Sequence, residues 1–428
     1  MTHRVIAKHV GFGHLGRIVS FRDLPGLRNG IWGLADQALI SVTNLVTMVL
    51  LARVLGPEGF GAFALAYTGL LFANSLQGAL VVQPHNVLGA SRDGDSYVRY
   101  TTSTAIGQLA FLGGAALLTL VAAITVHWLG RDAVLLFALV PAIIAWQLQE
   151  FIRRVLYTEE RLSAAFINDL VSYGGQAVAI VTLWRFERLT GPMALLVLAA
   201  TSALASAGGI WQVRGSLGRA FDVGELRQNW HHGKWLAGGQ IGYWLSTQAY
   251  TFLAAAMLGA TAAGALKASQ ILMGPLTVLL ASIGSVAPTR LTRVFNQHGH
   301  AGLREQVRTM YLVMIPLTGS YCLIVTLAAE PLLRLLYGAQ YDGYANVTRL
   351  IAAYYLVSSG ALIVSAALRV NGLTRPIFVA YTGASVTSLL VGWLIISVAG
   401  VEGAVLGMIV SAVILNVVVW RAFRDSRE

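Results

Sequence analysis

Acidic side chains are scarce in this sequence. Only 19 Asp and Glu occur among 428 residues, and charged residues of both signs make up 11%. A soluble domain carries about 25%, so a water-exposed surface over the whole chain is excluded. Cysteine is nearly absent too. Cys322 stands alone, which excludes an internal disulfide, and its place in an apolar run marks a buried, inert thiol. No polar stretch is long enough for a soluble domain. Walker, GxSxG and dinucleotide-binding signatures are missing. The nine histidines include no HExxH spacing, and the pairs His231-His232 and His298-x-His300 lack complementary ligands. The expectation is a protein without catalytic residues, metal or bound cofactor.

Hydrophobic residues fill 56% of the chain, and the mean hydropathy is +0.67. Apolar runs long enough to cross a bilayer need roughly 20 residues. Twelve are readable, at about 30–53, 60–84, 102–127, 132–152, 167–186, 192–213, 234–258, 262–287, 308–329, 346–369, 375–398 and 402–422. Their length and lack of strict alternation favour helices over barrel strands. Pro141, Pro275 and Pro316 fall inside these runs as candidate kinks.

The net charge of +11 raises nucleic acid as a partner, but its distribution argues against one. With a cytoplasmic N-terminus, 23 of the 30 Lys and Arg fall on the cytoplasmic side. This is the positive-inside pattern, and it places both termini in the cytoplasm. The first 29 residues form a basic segment with Arg4, Lys8, Arg17, Arg22 and Arg28, suited to an anionic membrane surface. The first apolar run reads as an uncleaved span rather than a signal peptide.

A repeat organises the rest. "LARVLGPEGFGAFALA" (51–66) joins the first two runs, and "AAAMLGATAAGALKAS" (254–269) joins the seventh and eighth. At an offset of 203, Ala52, Leu55, Gly56, Gly61 and Ala62 meet Ala255, Leu258, Gly259, Gly264 and Ala265. Gln37 meets Gln240 at the same offset, and Arg161 echoes Arg375 in a second pair of loops. The chain thus divides into an N-lobe of helices 1–6 (30–213), a linker (214–232), a C-lobe of helices 7–12 (233–423) and a short tail (424–428). Six helices per half leave both halves in the same orientation, so the repeat is parallel, with its axis along the membrane normal. Such halves enclose a central cleft.

Polar residues mark that cleft. Gln37, Ser41 and Asn44 share one helical face in the first run; Gln240, Thr247 and Gln248 occupy the seventh. Asn74 and Gln77 in the second run are matched by Lys267 and Gln270 in the eighth. Asp36 is an acid two turns into the first run, open to pairing with Arg28 or to a coupling H⁺ or Na⁺. Arg53 and Lys267 lie near outer helix ends, as interfacial anchors or as guides for a diphosphate. Arg153-Arg154 with Glu159-Glu160 reads as a solvated helix end.

The hairpin "LARVLGPEGFGAFALA", the stretch "RRVLYTEERLSAAFINDLVSYGGQ" (153–176) and "SVAPTRLTRVF" (285–295) resemble the polysaccharide flippases of the multidrug/oligosaccharidyl-lipid/polysaccharide exporter superfamily. The resemblance covers roughly residues 30–420. It implies an all-α, MATE-like membrane fold of twelve helices in two lobes. It also implies translocation of a polyprenyl-diphosphate-linked oligosaccharide, such as an O-antigen or exopolysaccharide precursor, across a bacterial inner membrane. Membrane lipids and other polysaccharide-assembly membrane proteins would be its partners. A multidrug or cation antiporter, a membrane polymerase or ligase, and a non-transporting scaffold stay open as alternatives.

Overall fold

The computed structural model describes residues 25–373 and 375–426, and every regular element among them is helical. The basic segment 1–24 lies outside the described residues, and so does the Arg28 side chain. Lipid cannot satisfy bare peptide groups, so these Leu-, Ala- and Val-rich runs must close their hydrogen bonds within themselves.

The first lobe begins with α1 (Pro25–Gln77), which π-helical turns extend to Gly89. It continues with α2 (Gly94–Trp128), α3 (Val134–Thr158), α4 (Leu162–Asp169), α5 (Gly175–Arg185) and α6 (Gly191–Gln212). The second lobe holds α7 (Val223–Leu258), α8 (Ala260–Leu272), α9 (Gly274–Leu327) and α10 (Ala329–Tyr337). It is completed by α11 (Ala345–Ser359), α12 (Leu362–Val370), α13 (Arg375–Leu390) and α14 (Gly392–Asp425).

Eight helical runs among the described residues are long and apolar enough to cross a membrane, one of 59 residues and one of 54. Three runs are not single rods. Gly56, Gly299 and Gly400 interrupt α1, α9 and α14 with φ of 68°, 61° and 58°. The chain therefore turns at glycines, which adopt positive φ without a Cβ clash. Pro141 and Pro316, expected as kinks, sit inside continuous helix, while Pro275 opens α9, where its missing N–H leaves no gap.

Two ends of the bundle can be distinguished. The hairpin end carries Gly56, Gly259 and Gly338; the linker end carries residues 214–222. One hydrophobic cluster spans both lobes, with Leu51 and Phe60 of the first packed among Tyr250, Leu266, Tyr337 and Tyr341 of the second. Two further clusters each belong to one lobe. One gathers Phe151, Ile152 and Leu156; the other gathers Leu291, Leu368 and Val419. The lobes thus share a core at the hairpin end and keep separate cores toward the linker end.

Residues 214–232 are more ordered than a linker. A 3-10 turn at Arg214–Ser216 leads into α7, whose first turn is capped by the Asp222 carboxylate accepting from the Gly224 amide at 2.7 Å. The start of α7 is moored to the first lobe. Arg92 pairs with Glu225 at 2.5 Å, and Tyr100 donates to Asn229 at 2.6 Å. The bond to Glu225 holds the Arg92 guanidinium above its ordinary pKa.

Candidate substrate cleft

The repeated hairpins meet at the hairpin end. Gly56 (φ 68°, ψ 178°) and Gly259 (φ 88°, ψ 177°) take the same backbone turn. Five residues on, Gly61 and Gly264 bring the second arm of α1 against α8, backbone to backbone. A Cβ on Gly61 would lie 1.8 Å from the Ala260 carbonyl oxygen, and one on Gly264 would lie 1.9 Å from that of Pro57. Ala260 and Gly264 are the repeat partners of Pro57 and Gly61. Each copy therefore touches the other with the same residues, as contacts across a twofold axis do. Small residues are what such close crossings in lipid require. Gln340 adds a clasp, its amide donating to the Arg53 carbonyl at 2.7 Å.

The polar residues read from the sequence are distributed unevenly around this seal. Gln37 is exposed beside Ser41, its amide 3.4 Å from the hydroxyl, and Asn44 is half-buried one turn on. Thr247, Gln248 and Gln270 converge in the second lobe. They line a cavity of about 340 Å³ together with Tyr243, Tyr354, Tyr355 and Tyr381. Gln240 is half-buried and does not line it. Asn74 and Gln77 turn elsewhere: Asn74 donates to Gln77, and the fully buried Gln77 amide donates to the Gln147 carbonyl of α3 at 2.7 Å. They tie α1 to α3 within the first lobe. The Arg53 side chain is exposed. Lys267 is half-buried, one helical turn from Gln270, and has no ion-pair or hydrogen-bond partner among the described residues.

Asp36 proves to be part of a larger charged centre. Arg153 is 6% exposed, contrary to the solvated helix end expected for it. Its Nη2 lies 2.8 Å from Asp36 Oδ2, its Nη1 3.0 Å from Glu150 Oε1 and its Nε 2.7 Å from Asp169 Oδ2. Tyr157 donates to Asp36 at 2.5 Å, Tyr173 to Glu150 at 3.2 Å and the Gln149 amide to Asp169 at 2.5 Å. Three carboxyl groups thus surround one guanidinium. Arg154 adds only a distant contact to Glu150, at 3.9 Å. Buried oxygens of Asp36 and Gln149 stay without partners.

Sequence reasoning found Asp36 and missed Glu150, Arg153 and Asp169. The usable signal was spacing: Glu150 and Arg153 are i, i+3 at the end of an apolar run, and Asp169 is embedded in the next. Among the described residues, the second lobe has no counterpart at the matching positions. At the offset of 203, Asp36 meets Gly239; at the Arg161/Arg375 offset, Glu150, Arg153 and Asp169 meet Val364, Ala367 and Gly383. The first lobe buries a charged centre, whereas the second-lobe cavity is lined by tyrosines and amides.

Residues 50–346 match the family model described as polysaccharide biosynthesis protein. The chain belongs to this family. No curated protein sequence matches this chain. Among solved structures it resembles the lipid II flippase MurJ in an inward closed conformation, with TM-score 0.68 at 13% identity over 92% of this chain and 87% of that one. An inward-facing multidrug-resistance MATE transporter of the MOP superfamily matches equally, with TM-score 0.68 at 13% identity over 92% and 99%. A MOP superfamily transporter from Pyrococcus furiosus follows with 0.60 at 12% identity over 94% of each chain. At such identities the likeness is one of fold: the chain is an integral membrane protein of the MATE-like, two-lobed architecture.

Proposed function

We propose that this protein flips a polyprenyl-diphosphate-linked oligosaccharide from the cytoplasmic to the outer leaflet of a bacterial inner membrane, by alternating access. The observation that carries the reading is the cleft's asymmetry. The lobes share a core at the hairpin end, sealed by Gly61 against Gly264, and have separate cores at the linker end. The family places the chain in polysaccharide biosynthesis. The tyrosine-lined cavity suits sugars, since each ring offers an apolar face and a hydroxyl tip. Lys267, without an acidic partner, is a cation free to meet a diphosphate. A cationic-drug antiporter would instead want a carboxylate facing the cleft, whereas Asp36 is buried against Arg153.

The linker end is the cytoplasmic one in this reading, because it bears most of the Lys and Arg. Cys322 is buried, so the wild-type thiol is a quiet background for labelling. A membrane-impermeant thiol reagent applied to intact cells should label Asp342→Cys and spare Ala220→Cys; the reverse result would invert the orientation.

We place the coupling-ion site at the charged centre. Three carboxylates around one guanidinium leave an excess of negative charge that proton uptake by the carboxyls would reduce. Arg153 already occupies the space among the three carboxyls, which favours a proton over a sodium ion as the coupling ion.

Cargo is tested at Lys267, by following lipid-linked oligosaccharide to the outer leaflet in proteoliposomes. At an effective dielectric of 20, one charge contact at 4 Å is worth about 4 kcal/mol. Lys267→Glu should therefore slow transport on the order of a thousandfold beyond Lys267→Gln. Equal rates for the two variants would remove the diphosphate from this site. Saturable efflux of a cationic drug, with no lipid-linked sugar moved, would select the antiporter instead.

A further inference from the structure

A large groove lies outside the cleft. It runs between the second arm of α9 and the end of α14 and encloses about 1030 Å³. Four arginines line it, Arg304 and Arg308 from α9 and Arg421 and Arg424 from α14, with no Asp or Glu among the lining residues. The pairs are spaced i, i+4 and i, i+3, so each places two guanidiniums on one helical face. Like charges so arranged repel. Among the described residues only Arg424 has an acidic neighbour, the exposed Asp425 at 3.7 Å. Below the arginines the trough is apolar, formed by Leu312, Ile315 and Val417. Leu312 is 66% exposed.

The floor of the groove is built rather than incidental. The junction between α11 and α12 leaves the Gly360 carbonyl outside any helical ladder. Tyr311 donates to it at 2.5 Å and the Trp420 indole at 3.1 Å, with the two rings 5.3 Å apart. This clasp closes the groove from behind. The tyrosine-lined cavity, which includes Ser358 and Ser359, lies on other faces of the same junction.

We propose that this groove binds a resident phospholipid with two phosphates, of the diphosphatidylglycerol type, from the leaflet at the linker end. One phosphodiester would leave most of the guanidinium charge uncompensated; two phosphates divide it between the helices, each accepting from one arginine pair. The apolar trough then takes acyl chains. Basic pockets between membrane helices on the cytoplasmic side recognise such headgroups. The groove is separate from the cleft, so the lipid is a fixture rather than cargo. The inference rests on the orientation proposed above for its choice of leaflet, and on no assumption about cargo.

The test is native mass spectrometry of the purified full chain, titrated separately with diphosphatidylglycerol, phosphatidylglycerol and undecaprenyl diphosphate. Diphosphatidylglycerol should bind at one site and outcompete the other two. The triple variant Arg304→Gln, Arg308→Gln, Arg421→Gln should weaken that site about a hundredfold, at roughly 1 kcal/mol for each cation. Arg290→Gln with Arg293→Gln, on the other arm of α9, should leave it intact. Leu312→Trp keeps every guanidinium but fills the trough, and should also weaken binding; it carries the test if the triple variant does not fold. Equal binding of phosphatidylglycerol, or no loss in Leu312→Trp, would reduce the groove to interfacial anchoring. Preferential binding of undecaprenyl diphosphate would overturn the resident-lipid assignment while leaving the flippase reading standing. Transport of lipid-linked sugar, measured separately, reports on that reading.

Discussion

Replacing Arg153 with methionine should cost about 3–5 kcal/mol of stability, the largest loss expected from any single side chain in the first lobe. The variant strips the counter-charge from Asp36, Glu150 and Asp169 together. Uncompensated carboxylates in a buried, low-dielectric site either raise the energy of the fold or take up protons to escape it. Arg153→Lys keeps the charge but loses the planar fork that reaches three partners, so it should lie between methionine and wild type. The measurement is thermal unfolding of the detergent-purified protein. A specific rescue separates electrostatics from packing: Asp36→Asn with Asp169→Asn, added to Arg153→Met, should recover much of the loss. An Arg153→Met protein that melts with the wild type would show the centre to be unimportant for folding. If the centre also carries the coupling proton, the rescued variant should be stable and yet inactive in transport driven by a proton gradient.

Gly61→Leu should abolish transport without unfolding the protein. The added side chain meets backbone, the Ala260 carbonyl at 1.8 Å from its first carbon, and backbone cannot rotate away as a side-chain tip can. The hairpin end is then wedged open, while the helices keep their internal hydrogen bonds. Gln270→Cys, in the second-lobe cavity, provides the readout. A membrane-impermeant thiol reagent applied from the hairpin side should label it weakly in the wild-type background and strongly beside Gly61→Leu. Gly264→Leu should behave alike, because its first carbon would lie 1.9 Å from the Pro57 carbonyl. Both changes act on one crossing, so the double variant should be little worse than either. Retained transport in Gly61→Leu would mean that the seal seen here does not have to form during the cycle.

The repeated hairpin was legible in the sequence, whereas the charged centre was not, for different physical reasons. Gly56, Gly61, Gly259 and Gly264 announce themselves twice at a fixed offset, and glycine in such a frame has few uses besides turns and close crossings. Helix direction follows from the even count, so the parallel repeat could be derived. Arg153 and Arg154, by contrast, stand where an apolar run gives way to charge. That pattern usually marks water, and only the packing of α3 against α1, α4 and α6 turns Arg153 inward. Gln77 shows the converse error. It reads as cleft lining because it is polar and amid apolar sequence, but its amide satisfies a carbonyl of α3. A periodic face tells which residues lie together, not which neighbour they meet. The π-helical turns at 78–82, 85–89 and 170–174 were invisible for a similar reason: they shift register by one residue and leave no mark in composition.

The reciprocity of Gly61 and Gly264 bears on ancestry. A contact in which each half uses the same residues against the other needs no second half distinct from the first. It is the contact that two separate six-helix chains of one kind would make across a dyad. A duplicated and fused gene inherits it ready-made. Fusion then releases the halves to diverge everywhere except at that crossing. One half could acquire Asp36, Glu150, Arg153 and Asp169 while the other placed Gly239, Val364, Ala367 and Gly383 at the matching positions. Symmetry is kept where the halves must close on each other, and is lost where each has been given separate work.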